Sequence, residues 1–214
     1  MIPGDTTYPG ACMNSQTIDR WVNYWVRLME QEIQETSWHS QLASRLALRL
    51  GRKFGLQGEA LRHLRRGALL HDIGKLAIPR AILYKPGPLN AEEWRLMRRH
   101  PLYAYDFFAP LPELHPALEV ALYHHEKWDG SGYPFGLAGE AIPLVARIFA
   151  IVDVWNALRS DRPYRRAWGE AETRAYLLAN RGRQFDPQVV DAFWEILQRN
   201  GRDLTPTLAP QPAD

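Results

Sequence analysis

An all-α domain is the fold this sequence predicts, on three observations. Apolar residues recur at three- and four-residue spacing through most of the chain, and no segment holds a period-two alternation bounded by turns. Helix start and stop residues also fall at the ends of the periodic stretches. With 214 residues, 46% of them hydrophobic, the chain can bury one core of ordinary size. The expectation is a single domain of about seven to eight helices over residues 15–200, with a Gly-rich loop. Flexible tails are expected at residues 1–14 and 201–214, both rich in Pro, Thr or Gly.

From the amino end, the first amphipathic run spans about Thr17 to Ile33. A second passes through Leu42, Leu46 and Leu50 and stops at Gly55. A third covers about Glu59 to His71 and ends at the Ile73-Gly74 step. Asn90 with Glu93 makes a capping-box start for a short helix ending near His100, where Pro101 can open another. Pro116 can do the same for a helix carrying Leu118, Ala121 and Leu122 up to His124 and His125. Residues 127–141, KWDGSGYPFGLAGEA, are Gly-rich and too long for a simple turn; loops of that kind often line sites. Leu144 to Leu158 reads as a buried helix, with Val145, Ile148, Ile151, Val152 and Trp155 apolar around Asp153. Helices over about Glu170–Asn180 and Pro187–Arg199 complete the set, the last capped by Asp186.

Charge narrows the partners. Against 24 acidic residues stand 26 basic ones, so the surface is nearly balanced and is not a basic field for long nucleic acid. A small anionic substrate remains easy to accommodate. The cluster Arg62, His63, Arg65 and Arg66 is read as a solvated helix face, and His115 as a helix-start or surface residue. Cys12, the lone cysteine, cannot form an internal disulfide. With no apolar run long enough to span a bilayer and no signal-peptide pattern at the start, a cytoplasmic, membrane-free protein is expected.

The sharpest chemical signal is His71-Asp72 at a helix end, accompanied by His39, His100, His124, His125 and Asp153. Imidazoles with carboxylates suit divalent iron, manganese or zinc, and a single cysteine rules out an all-thiolate site. Each residue alone has a plainer reading, as a cap, a surface pair or a satisfied core histidine. Asp153 resists it, because an ionised carboxylate in an apolar helix is costly unless paired or bound to a metal. Neighbouring helical side chains point about 100° apart, so His71 and Asp72 can address two ions if the carboxylate bridges them. Two ions about 3.5–4 Å apart can generate a hydroxide between them and neutralise a phosphodiester in the transition state.

His71-Asp72-Ile73-Gly74-Lys75, then His100, then HHEKWDGSGYP from His124 to Pro134, then Asp153 and Arg162-Pro163-Tyr164-Arg165, resembles the HD-GYP subgroup of the HD phosphohydrolases. The resemblance covers about residues 30 to 198, with several separated motifs in the subgroup's order. It implies a bacterial signalling enzyme that hydrolyses cyclic di-GMP to linear pGpG and in some members to GMP. It implies a site of two or three divalent ions, iron or manganese, with a metal-bridging hydroxide as nucleophile. His39, His71, Asp72 and Asp153 match the shared ligands, Asp72 as the bridge; His100, His124 and His125 match those of a further ion. Glu35, four residues before His39, matches a third-metal ligand of some members, although a Glu-His pair at this spacing is more often a solvated helix face.

Lys75 follows the His-Asp pair by one turn or a tight loop, close enough to clamp a phosphate oxygen, with a surface lysine as the plainer reading; the resemblance implies that Arg162 and Arg165 contact guanine or phosphate, with surface arginines as the alternative. Gly132, Tyr133 and Pro134 form the loop that names the subgroup; the resemblance links it to diguanylate cyclase domains, while a purely structural loop is the alternative. Two other functions stay open: a module that binds a cyclic dinucleotide or a cyclase domain without cleavage, and hydrolysis of a different cyclic dinucleotide.

Overall fold

The structure, a computed structural model, describes residues 13–33, 37–161 and 165–199, with residues 37–40 and 199 described by backbone alone. In chain order the α-helices are α1 (Ser15–Ile33), α2 (Ser37–Lys53), α3 (Gly58–Leu70), α4 (Arg80–Leu83), α5 (Ala91–Met97), α6 (His100–Phe108), α7 (His115–Tyr123), α8 (Leu144–Leu158), α9 (Glu170–Ala179) and α10 (Pro187–Arg199). Short 3₁₀ turns cover Ile73–Ala77, Pro112–Leu114 and Gly139–Ala141. Only isolated β-bridges interrupt this pattern among the described residues, so the all-α expectation holds. The helix count exceeds the expected one because a single turn such as α4 is too short to carry periodicity. Among the described residues no helix is long and apolar enough to cross a membrane.

Local sequence sets the element ends. Asn90 accepts from the Glu93 amide at 2.9 Å while the Glu93 carboxylate accepts from the Asn90 amide at 2.7 Å, completing the capping box of α5. Pro101 and Pro116 occupy the first turns of α6 and α7, where a missing amide hydrogen costs nothing. Asp186 caps α10 by accepting from the Gln188 amide at 2.8 Å and also binds Arg147 at 2.7 Å.

Two apolar clusters share α3 and α7. One joins α2, α3, α8 and α10 through Leu46, Leu50, Leu64, Phe149, Val152 and Phe193; the other joins α1, α3, α6 and α7 through Val22, Met29, Leu70, Phe108 and Leu118. The carboxyl-terminal half of α3, from Arg66 to Leu70, is buried throughout. Its last four residues, Gly67 to Leu70, are apolar and belong in the interior, and that end carries His71 and Asp72 inward with it.

One expectation is corrected here. Arg66 does not lie on a solvated face; it is 1% exposed, with its guanidinium on the Asp19 carboxylate at 2.8 Å and on Ser15 Oγ at 2.6 Å. A buried cation needs a paired anion, and Asp19 of α1 supplies it across helices. His115 starts α7 as expected, and its ring meets the Ala109 carbonyl at 2.9 Å.

Candidate metal centre

Four structural corners meet at Asp72. His71 is the C-cap of α3 and Asp72 the N-cap of the following 3₁₀ turn; both are buried. His100 opens α6, and His124 and His125 follow the end of α7. Asp72, His100, His124 and His125 each offer a ligand atom, all within 4.8 Å of one another. More than fifty positions of sequence separate Asp72 from His125, so only packing brings them together.

Gly74 makes the first contact possible. A Cβ built on it would lie 1.8 Å from the His100 carbonyl oxygen and 2.7 Å from the Ala104 nitrogen. Only a residue without a side chain lets the start of α6 rest on the turn after Asp72. Gly132 does the same for the loop, since its Cβ would stand 2.4 Å from the Lys127 nitrogen and 2.6 Å from the His125 carbonyl oxygen. Tyr133, joined to Pro134 by a cis peptide bond, stacks on the His125 ring at 4.7 Å and 28°. Gly132 and Tyr133 are therefore packed against the cluster, and Pro134 follows them in the loop.

Hydrogen bonding leaves the ring nitrogens pointing inward. The Nδ1 atoms of His71, His100 and His124 lie 2.8, 2.8 and 2.9 Å from the carbonyls of Ala68, Met97 and Ala121. A carbonyl can only accept, so each Nδ1 carries the hydrogen and each Nε2 presents a lone pair. His100 Nε2, His124 Nε2 and Asp72 Oδ1 are buried without a hydrogen-bond partner. His100 Nε2 stands 3.3 Å and His124 Nε2 3.9 Å from that Oδ1. Three inward-facing acceptors repel one another unless a cation lies between them, and second-shell carbonyls that orient imidazoles are typical of metal sites. The donor set thus fits a divalent ion.

The other carboxylate oxygen faces different partners. Asp72 Oδ2 accepts from Lys75 Nζ at 2.5 Å and lies 3.2 Å from His71 Nε2, which in turn is 3.8 Å from Asp153 Oδ1 on α8. Burial works to raise the Asp72 pKa, but the Lys75 ammonium on Oδ2 outweighs it and holds it well below the usual carboxylate range. For His124 and His125, burial first and neighbouring imidazoles second push the pKa well below the ordinary value. Both rings therefore stay neutral, the form that ligates metals.

The remaining sequence candidates divide. Glu35 and Arg162 lie outside the described residues, as does the side chain of His39, although its backbone belongs to α2. Arg165 is engaged elsewhere: its guanidinium donates to the carbonyls of Ala157, Leu158 and Arg166 at 2.9, 3.3 and 3.1 Å, beyond the end of α8. Sequence reasoning passed over Glu126 and Arg98. Glu126 is 3% exposed and clasps the loop, accepting from the amides of Phe135 at 2.7 Å and Leu137 at 3.1 Å. Arg98, two residues before His100, lies over the Tyr133 ring at 5.5 Å. An acid beside a ligand pair and an Arg four residues after a Trp were the available signals.

Known proteins resemble this chain in sequence and in fold. A profile described as HD domain matches residues 25–189. The cyclic di-GMP phosphodiesterase response regulator RpfG of Xanthomonas campestris pv. campestris is 45% identical over 168 residues, which are 78% of this chain and 44% of that protein. The 3'3'-cGAMP-specific phosphodiesterase 2 of Vibrio cholerae is 40% identical over 169 residues, 78% of this chain and 32% of the relative. The chain thus spans less than half the length of these curated relatives. A crystal structure of a cyclic GMP-AMP specific phosphodiesterase from V. cholerae has the same fold, with a TM-score of 0.67 at 18% identity, covering 87% of this chain and 50% of that one. The profile covers well over half of the chain, and on that ground the protein belongs to the HD domain family.

Proposed function

We propose that this chain is a metal-dependent phosphodiesterase that hydrolyses cyclic di-GMP to linear pGpG, with GMP as a further product. The observation that carries the reading is the convergence of Asp72 Oδ1, His100 Nε2 and His124 Nε2 as buried, partnerless acceptors. The RpfG relative, named a cyclic di-GMP phosphodiesterase, supports the choice of substrate.

His100, His124 and His125 would hold one ion with Asp72 Oδ1, while His71 and Asp153, with His39, would hold a second beside Oδ2. Asp72 would then serve both, and Glu35 would be the ligand for a third ion where one binds. Iron or manganese would supply Lewis acidity to the phosphodiester and acidify a coordinated water. The chain itself does three things. It presents neutral imidazoles by burying them, it keeps Asp72 ionised through Lys75, and it sets the Lys75 ammonium where charge develops on phosphate. Arg162 and Arg165 are the remaining candidates for phosphate or guanine contact, Arg165 after release from its carbonyls.

The test is hydrolysis by anaerobically purified, metal-reconstituted protein offered cyclic di-GMP, 3'3'-cGAMP and simple nucleotides in parallel. Asp72→Ala should abolish turnover while the helical circular dichroism signal persists. Normal turnover by a folded Asp72→Ala protein refutes the reading. Hydrolysis of the mixed dinucleotide is the second reading, favoured by the 40% identical relative named for 3'3'-cGAMP. A diguanylate cyclase domain is a candidate partner for the Gly132-Tyr133-Pro134 loop; unchanged binding by Tyr133→Ala counts against it. A cytoplasmic location completes the proposal, on the grounds of composition.

A further inference from the structure

A ladder of rings and charge runs outward from the candidate metal centre. The Tyr133 ring stacks on His125 at 4.7 Å, the Arg98 guanidinium lies 5.5 Å over Tyr133, and the same guanidinium lies 5.9 Å from the ring of Trp94. Trp94 is 46% exposed despite its size. Arg98 itself is fixed at the elbow between α5 and α6, as the C-cap of α5, with its backbone amide on the Trp94 carbonyl. Its side chain makes no hydrogen bond or ion pair with any described residue. Two aromatic rings therefore lie against the guanidinium, while its N–H donors have no acceptor among the described residues.

We propose that Arg98 is a specificity-determining residue that reads the guanine base next to the scissile phosphate, with Trp94 and Tyr133 holding its guanidinium in place. This deepens the functional reading above and rests on it. The phosphate must lie at the cluster beside His125, and Arg98 stands one tyrosine ring further out, where a base attached to that phosphate falls. Guanine presents O6 and N7 as two acceptors side by side, which the planar fork of an arginine matches with two parallel hydrogen bonds. Adenine puts an N6 donor in place of O6, so the fork then meets another donor. An exposed tryptophan also offers a stacking face to a base. A contact to phosphate alone would use the same guanidinium but would not distinguish the two bases.

The experiment compares wild type, Arg98→Ala and Arg98→Lys on cyclic di-GMP, with cyclic di-AMP followed as substrate or competitive inhibitor and metal content measured throughout. A bidentate base contact carries roughly tenfold or more of discrimination. Arg98→Ala should therefore lose about that factor in preference for cyclic di-GMP over cyclic di-AMP, mainly in KM, at unchanged metal content. Arg98→Lys keeps the charge but not the fork and should not restore the preference. Unchanged preference in Arg98→Ala overturns the proposal, as does an equal loss on both dinucleotides, which marks a phosphate contact or a support for Tyr133. A wild-type protein that cleaves bis(p-nitrophenyl) phosphate but no cyclic dinucleotide sinks the functional reading and this inference with it; retained cyclic di-GMP hydrolysis with no change in Arg98→Ala sinks the inference alone.

Discussion

Replacing Gly74 by alanine should damage the site without touching any candidate ligand. The new Cβ would sit 1.8 Å from the His100 carbonyl oxygen, 2.7 Å from the Ala104 nitrogen and 2.8 Å from the His100 carbonyl carbon. These are backbone atoms, so no side-chain rotation relieves the clash, and the start of α6 must retreat by more than ~1 Å in a closely packed interior. Forcing extra volume into a packed core costs about 1–3 kcal/mol, and a backbone clash belongs at the upper end. For a domain of this size each kcal/mol lowers Tm by about 2–4 °C, so a fall of roughly 6–12 °C is expected. The retreat also carries His100 Nε2 away from Asp72 Oδ1, which it now faces at 3.3 Å. Thermal unfolding followed by circular dichroism gives the first quantity, and metal content with hydrolysis gives the second. A Gly74→Ala protein with wild-type Tm and a full complement of metal would refute the argument that this contact sets the geometry of the cluster.

The loop should depend on Glu126 in a similar indirect way: Glu126→Ala strands the amides of Phe135 and Leu137, at about 1–3 kcal/mol for each that stays buried. Hydrogen exchange at those two amides should accelerate and turnover should drop, with Glu126→Gln restoring part of both; unchanged exchange tells against the clasp. A pH prediction follows from His124 and His125. Their folded pKa values lie well below the ordinary ~6.5, so the unfolded chain binds more protons as pH falls from that value. The metal-free protein should therefore lose stability from about pH 6.5 downward, and His124→Asn should flatten that slope. Asp72 adds its own loss only lower, below the ordinary carboxylate pKa and on through its depressed folded value. A denaturation midpoint that is flat in metal-free wild type between pH 7 and pH 5 contradicts this assignment of burial.

Residue order alone determined the all-α class, the span of α8 from Leu144 to Leu158, and the caps at Asn90 and Asp186, because period and capping are local properties of a few adjacent residues. It also marked His71, Asp72, His100, His124 and His125 as chemically notable, since these residue types recur at helix ends. Tertiary packing decided what they face. His100 Nε2 meets Asp72 Oδ1 because Gly74 lets α6 lie against the turn, an approach encoded by the shape of two distant segments together, and His124 joins them from the end of α7. Packing likewise decided that Arg66, read as solvated, is buried on Asp19, and that Arg98 lies against Tyr133. A side chain's partner across the fold depends on where other helices come to rest, and no periodicity within its own helix carries that information.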